Sequence, residues 1–154
     1  MSDTAERIQH VLRSYTIDGK PLDITNPRLH RLFTMIPREH LKPVAMLLAK
    51  QLNAAHISTI TARDTGSELR ILYHFFIDSH MVTVQTSCPR DDPTIDSIVD
   101  VFPGAILYER EIHDLLGIIP KKHPDLRRLV LPENWTQGHP LRKDWKPLGG
   151  EPVG

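Results

Sequence analysis

The sequence predicts an α+β fold in which helices pack on a small mixed or antiparallel sheet, with an extended, proline-rich C-terminal arm. Three observations lead there. Apolar residues recur at helical spacing on both sides of a central stretch, His56 to Ser87, that alternates with a period of two. That stretch holds three short β-type runs separated by turn residues, the pattern of an antiparallel meander. After Gly117, Pro120, Pro124, Pro132, Pro140, Pro147 and Pro152 interrupt every plausible helix or strand.

Taken in order, Thr4 is expected to cap a helix whose apolar stripe is Ile8, Val11 and Leu12, ending near Ser14. Leu29 to Ile36 fits two periods, and the β-favouring run Leu32 to Ile36 before Pro37 decides for a strand. Pro37 then opens a helix to about Asn53 with Leu41, Val44, Leu48 and Leu52 inward, Pro43 marking a kink or the true start. Ile57 to Arg63 is the first strand of the meander, turned by Asp64 to Ser67. Leu69, Ile71, Tyr73, Phe75 and Ile77 mark the second, and Asp78-Ser79-His80 leads to the third, Met81 to Ser87. Asp92 as cap and Pro93 at the first helical position predict a helix with Ile95, Ile98, Val99 and Phe102 on one face. Another helix follows Pro103-Gly104 and stops at Gly117, a residue suited to the left-handed conformation. The chain thus divides into a body, residues 1–119, and an arm, residues 120–154, within a single structural domain.

The chain has 154 residues, enough for one compact core. Lys and Arg total 19 and Asp and Glu total 19, so no global field draws it to nucleic acid or anionic lipid. One cysteine, Cys88, excludes an intramolecular disulfide and any cluster needing several thiolates from this chain. Met1 to Arg13 is too polar for a signal peptide, and apolar runs such as Val44 to Ala49 fall far short of the ~20 residues that span a bilayer. A soluble, cytoplasmic protein is expected.

The densest charge cluster, Glu109-Arg110-Glu111-Ile112-His113-Asp114, lies in the helix ending at Gly117. The arm carries His123, Asp125, Arg127, Arg128, His139, Arg142, Lys143 and Asp144, together with Trp135 and Trp145. Carboxylates beside an apolar helix face need partners, and arginine supplies paired hydrogen bonds. The expected arrangement is therefore a charge latch in which Glu109, Arg110, Glu111 and Asp114 pair with Arg127, Arg128 or Arg142. Leu126, Leu129, Val130, Leu131, Leu141 and the two tryptophans are too much apolar surface to leave in water, so the arm must lie on its own sheet or on a partner. A metal site from Glu109, His113 and His123 or His139, as in a metal-dependent hydrolase, is the weaker reading, because nothing matches a zinc-peptidase helix. Cys88 and Ser87 lack a recognisable base. The short basic clusters are neutralised by neighbouring acids, which argues against nucleic-acid binding.

Asp91-Asp92-Pro93, Ser97-Ile98, the run Tyr108 to Ile118, His123 to Arg128 and Gly138 to Asp144 together resemble the thirty-kilodalton subunit of respiratory complex I, the C-type subunit of NADH:quinone oxidoreductase. The related subunit of energy-converting nickel–iron hydrogenases belongs to the same resemblance. It implies a peripheral-arm subunit with no cofactor of its own, the iron–sulfur clusters, flavin or nickel–iron centre lying in partner subunits. The implied partners are a large quinone-reactive or hydrogenase-like subunit and a small iron–sulfur subunit, on the cytoplasmic side of the cell membrane. Two departures are visible: Trp145 stands where Tyr or Phe is more usual, and the chain ends soon after it. The short length and Leu129 to Trp135 look like the hydrogenase versions, but the resemblance implies a complex I-type dehydrogenase as the parent, with the hydrogenase as the alternative.

Overall fold

The computed structural model describes residues 3–149. Helix α1 spans Asp3–Ser14, with Asp3 and Glu6 in its first turn, where carboxylates favour the helix dipole, and Ala5, Ile8 and Leu12 buried. Thr4 lies inside this helix rather than capping it. Strands β1 (Thr16–Ile17) and β2 (Lys20–Pro21) form a small hairpin.

Strands β3 (Ile24–Arg28), β4 (Arg31–Met35), β5 (Ile57–Asp64), β6 (Glu68–Ile77) and β7 (His80–Pro89) make one five-stranded sheet in the order β3-β4-β7-β6-β5. The expected strand before Pro37 is β4, and the meander is β5 to β7. Asp78 and Ser79, both at positive φ, make the two-residue turn between β6 and β7. The sheet is mixed because β4 runs parallel to β7, with Leu32 beside Val82. After Pro37, Arg38–His40 forms one short 3-10 turn, and helix α2 spans Leu41–Gln51. Pro43 sits in the first turn of α2, where an N–H has no intrahelical partner to lose.

Asp92-Pro93 does not start a helix. Thr94–Asp96 is instead strand β8, parallel to strand β9 (Ile119–Lys121). The Asp92 carboxylate is taken by Arg38 at 2.6 Å and the Thr94 hydroxyl at 2.9 Å, leaving nothing to cap backbone N–H groups. The Pro93 carbonyl accepts the Ile119 N–H at 2.7 Å, which commits it to a sheet. The apolar spacing is real all the same: Ile95, Ile98 and Phe102 are buried, and Phe102 packs on Phe75 with ring centroids 4.9 Å apart. β9 also overturns the expectation of no regular structure past Gly117. A two-strand parallel ribbon tolerates Pro120 because only one edge of β9 is paired.

Helix α3 spans Ala105–Leu116 and ends at Gly117 with φ 71°. All three helices pack on one face of the sheet, in a core that includes Ile8, Leu12, Leu48, Tyr73, Phe75, Val82, Ile112 and Leu116. No helix among the described residues is long and apolar enough to cross a membrane.

Candidate functional site

The site is the contact between α3 and the segment that follows β9. Glu109 is fully buried on α3. Its Oε2 accepts the Ser97 hydroxyl at 2.6 Å and its Oε1 the Ile98 N–H at 2.9 Å. Among the described residues no arginine is paired with it, contrary to the expected pairing. The turn at Ser97 and Ile98 supplies neutral donors, so the carboxyl is held in the core by a hydroxyl and a backbone N–H. Burial pushes the Glu109 pKa up, against these two hydrogen bonds. His123 lies 4.0 Å from Glu109 Oε2, but its Nε2 donates to the Ile106 carbonyl at 3.1 Å and its Nδ1 accepts the Asp125 N–H at 3.0 Å. That bonding places the hydrogen on Nε2 and fixes where the chain turns away from β9.

Asp114, 2% exposed, is the centre of the contact. Its Oδ2 accepts three successive backbone N–H groups, from Leu129, Val130 and Leu131, at 2.7, 2.9 and 3.3 Å. Arg128 stands 3.8 Å from the other oxygen. Burial raises the Asp114 pKa, but the backbone donors and Arg128 outweigh it and hold the group below the usual carboxylate range. Arg110 likewise addresses backbone, donating to the carbonyls of Arg127 and Arg128 at 2.8 Å each. Arg127 pairs with Asp125, two residues before it, rather than with α3. The latch is therefore made mainly of side chains on α3 gripping arm backbone, and of the expected ion pairs across the gap the one between Asp114 and Arg128 is present. Backbone groups in a segment without a ladder need partners anyway, which is why they take these charges. Glu111 is exposed and lies with Leu141 on a cleft of about 230 Å³ between α3 and β5.

A second grip closes the C-terminus of α3, whose last carbonyls have no helical donors. His139 Nδ1 donates to the Asp114 carbonyl at 2.9 Å, the Leu141 N–H to Leu115 at 3.0 Å, and Arg142 Nε to Leu116 at 2.7 Å. Arg142 thus caps the helix rather than pairing with a carboxylate. His113 turns its Nδ1 to the Ile118 carbonyl at 2.9 Å. Each of the histidines considered for a metal site is engaged with backbone, and among the described residues no three His, Cys, Asp or Glu side chains are grouped to hold a metal ion.

A third grip rests on residues that sequence reasoning missed. Asp64, buried at the end of β5, accepts the Lys143 N–H at 2.9 Å and the Gly66 N–H at 2.8 Å, and Arg90 bridges Asp64 and Asp144 at 3.2 and 2.7 Å. Asp64 is legible only as the first residue of a turn, and nothing local marks Arg90. Trp135 and Trp145 stack on each other, centroids 6.2 Å apart, with their indole N–H groups bonded to Gly138 and Gln137. Leu129, Val130 and Leu141 stay 42%, 52% and 55% exposed.

The sequence from 34 to 151 matches the family described as respiratory-chain NADH dehydrogenase, 30 Kd subunit. The chain belongs to that family. Within it, the C-type subunit of the NADH-quinone oxidoreductase of Nocardioides sp. is 40% identical over 144 residues, 86% of this chain and 57% of that protein. The equivalent C-type subunit of Acidothermus cellulolyticus is 36% identical over 130 residues, 77% of this chain and 65% of the relative. The chain thus spans less than two thirds of these relatives' length. Among solved structures, the trypsin-resistant fragment (1-134) of Nqo5 superposes with a TM-score of 0.65 at 25% identity, over 80% of this chain and 99% of that one. A chain of the membrane-bound sulfane sulfur reductase, an archaeal respiratory membrane complex, shares the fold at TM-score 0.70 and 19% identity, over 96% and 88%.

Proposed function

We propose that this chain is a non-catalytic peripheral subunit of a membrane-bound, complex I-like oxidoreductase that supports electron transfer to quinone, and that it docks through its arm onto the large quinone-reactive subunit. The observation that carries this reading is the arm itself. Asp114 and the end of α3 hold it rigid through its backbone, which leaves Leu129, Val130 and Leu141 displayed at 42%, 52% and 55% exposure. A pre-ordered segment loses little entropy when it binds, and exposed aliphatic groups on it form a contact surface. His123, Asp125, Lys143 and Asp144 serve to shape that segment. Electrons pass through iron–sulfur and flavin centres of partner subunits, including a small iron–sulfur subunit, since one buried cysteine gives this chain no thiolate set. It sits on the inner face of the membrane, attached only through the complex. The names of the sequence relatives favour a dehydrogenase over the equivalent nickel–iron hydrogenase subunit.

The test is co-purification of the tagged chain with the products of its neighbouring reading frames. Val130→Asp with Leu141→Asp is expected to release the large subunit while leaving the melting temperature of the isolated chain within about 2 °C, as surface changes do. Retention of the large subunit by this variant overturns the docking assignment. A large subunit bearing paired cysteine motifs identifies the parent as a hydrogenase instead.

A further inference from the structure

The sheet has a second face. Phe33 and Met35 on β4, Met81 on β7, and Leu72 and Phe76 on β6 alternate with the core positions of their strands and so lie opposite the three helices. The register sets them side by side: Phe76 faces Met81, and Met35 and Leu72 both neighbour Gln85. Phe76 is 58% exposed and Met35 62%. Contiguous aromatic and methionine side chains on a surface are the composition of protein interfaces.

Two further features say what fits there. The polar row between the apolar side chains is already satisfied within the sheet, because the His74 ring bridges three strands, bonding Thr61 at 3.3 Å and Thr83 at 3.0 Å. Polar groups bonded to one another lose little when water leaves. The charges at the two ends are basic: Arg31 beside Met81 at one end, Arg63 opposite Arg70 at the other. Among the described residues, the one carboxylate at these outward positions is Glu68, and Arg70 holds it at 3.0 Å. Along β7 the two ends are separated by the run from Met81 to Ser87, roughly 20 Å at ~3.3 Å per residue. A helix of about 13 residues has that length.

We propose that this open face is a second docking surface, which takes an amphipathic helix of a partner protein bearing an apolar stripe and carboxylates near both ends. It is independent of the arm and does not rest on the docking assigned to Leu141.

The probe is a synthetic amphipathic peptide of about 16 residues, with leucines at helical spacing and glutamates in its first and last turns. A control peptide carries lysines in place of the glutamates. Titrated into the isotope-labelled full-length chain, the acidic peptide is expected to give saturable amide shifts at Phe33, His74, Phe76 and Thr83. Phe76→Ser is expected to weaken binding by about tenfold, as loss of a buried aromatic contact does. Arg31→Glu combined with Arg63→Glu is expected to weaken it comparably, and supplies a second reading if Phe76→Ser fails to fold. Val130→Asp on the arm leaves it unchanged, which separates this surface from the arm. Absence of saturable shifts, equal binding of the lysine peptide, or shifts confined to the arm or the cleft beside Leu141 overturns the proposal.

Discussion

The His139 ring occupies the space in which a side chain at position 117 would stand: a Cβ on Gly117 would lie 2.5 Å from two ring atoms of His139. Gly117 also holds φ 71°, so it ends α3 and lets the arm close over that end at once. Gly117→Ala is expected to cost about 1–2 kcal/mol in left-handed strain and about 1–3 kcal/mol more in displaced packing. Gly19→Ala, at φ 74° with open space around it, meets only the strain. Chemical denaturation of both variants checks this, and equal losses would show that His139 is not fixed over the helix end.

Asp114→Ala leaves three backbone N–H groups of the arm without an acceptor. A loss of about 2–3 kcal/mol is expected, together with new protease cleavage between residues 127 and 132. The pH dependence has a definite sign. The folded pKa of Asp114 lies below its unfolded value, so its contribution is complete above the ordinary carboxylate range and disappears as pH falls through the lower folded value. Melting curves from pH 7 down to about pH 3 should therefore fall less steeply for Asp114→Asn than for the parent chain.

Glu109 carries the opposite sign. Burial raises its folded pKa, so its stabilising contribution is present below the unfolded carboxylate pKa and is lost as pH rises through the folded value. Glu109→Gln keeps the shape and has no proton to lose. It is expected to melt at or above the parent at pH 7 and to converge with it near pH 4. Uniform destabilisation at every pH would instead assign Glu109 a purely geometric role.

Cys88 is 1% exposed, and burial pushes its thiol up to about 11. Iodoacetamide at pH 8 should leave it unmodified in the folded chain and alkylate it in urea, because the thiolate is the reactive form. Mass spectrometry reads the difference directly.

Elements whose signals are local were legible. Gly117 announces the end of α3, and the alternation from Leu69 to Ile77 announces β6 together with its buried face. Elements defined by a distant partner were not. Asp92-Pro93 reads as a helix start, and only the Ile119 N–H and the Arg38 guanidinium turn Thr94–Asp96 into a strand. β3, broken by Pro27 and mostly exposed, gives no periodicity to read. At the site, the charge cluster on α3 and its engagement with the arm were visible in the residues. The Asp114–Arg128 pair was legible too, but residue types reveal only which side chains carry charge, not that Asp114 and Arg110 also address backbone groups. Asp64 and Arg90 join Lys143 and Asp144 across the fold, and no spacing encodes that meeting.

The parallel pairing of β4 with β7 is expected to order the folding reaction. β5, β6 and β7 follow one another through short turns, whereas β4 pairs with β7 across α2 and two intervening strands. Such non-local pairing carries the loop-closure entropy that slows folding. Weakening the Phe33 contact with β7 should retard refolding, while weakening the β6–β7 turn at Asp78 should act at an earlier step. The N-terminal third, through β4, is thereby expected to set the pace at which the rest of the molecule becomes native.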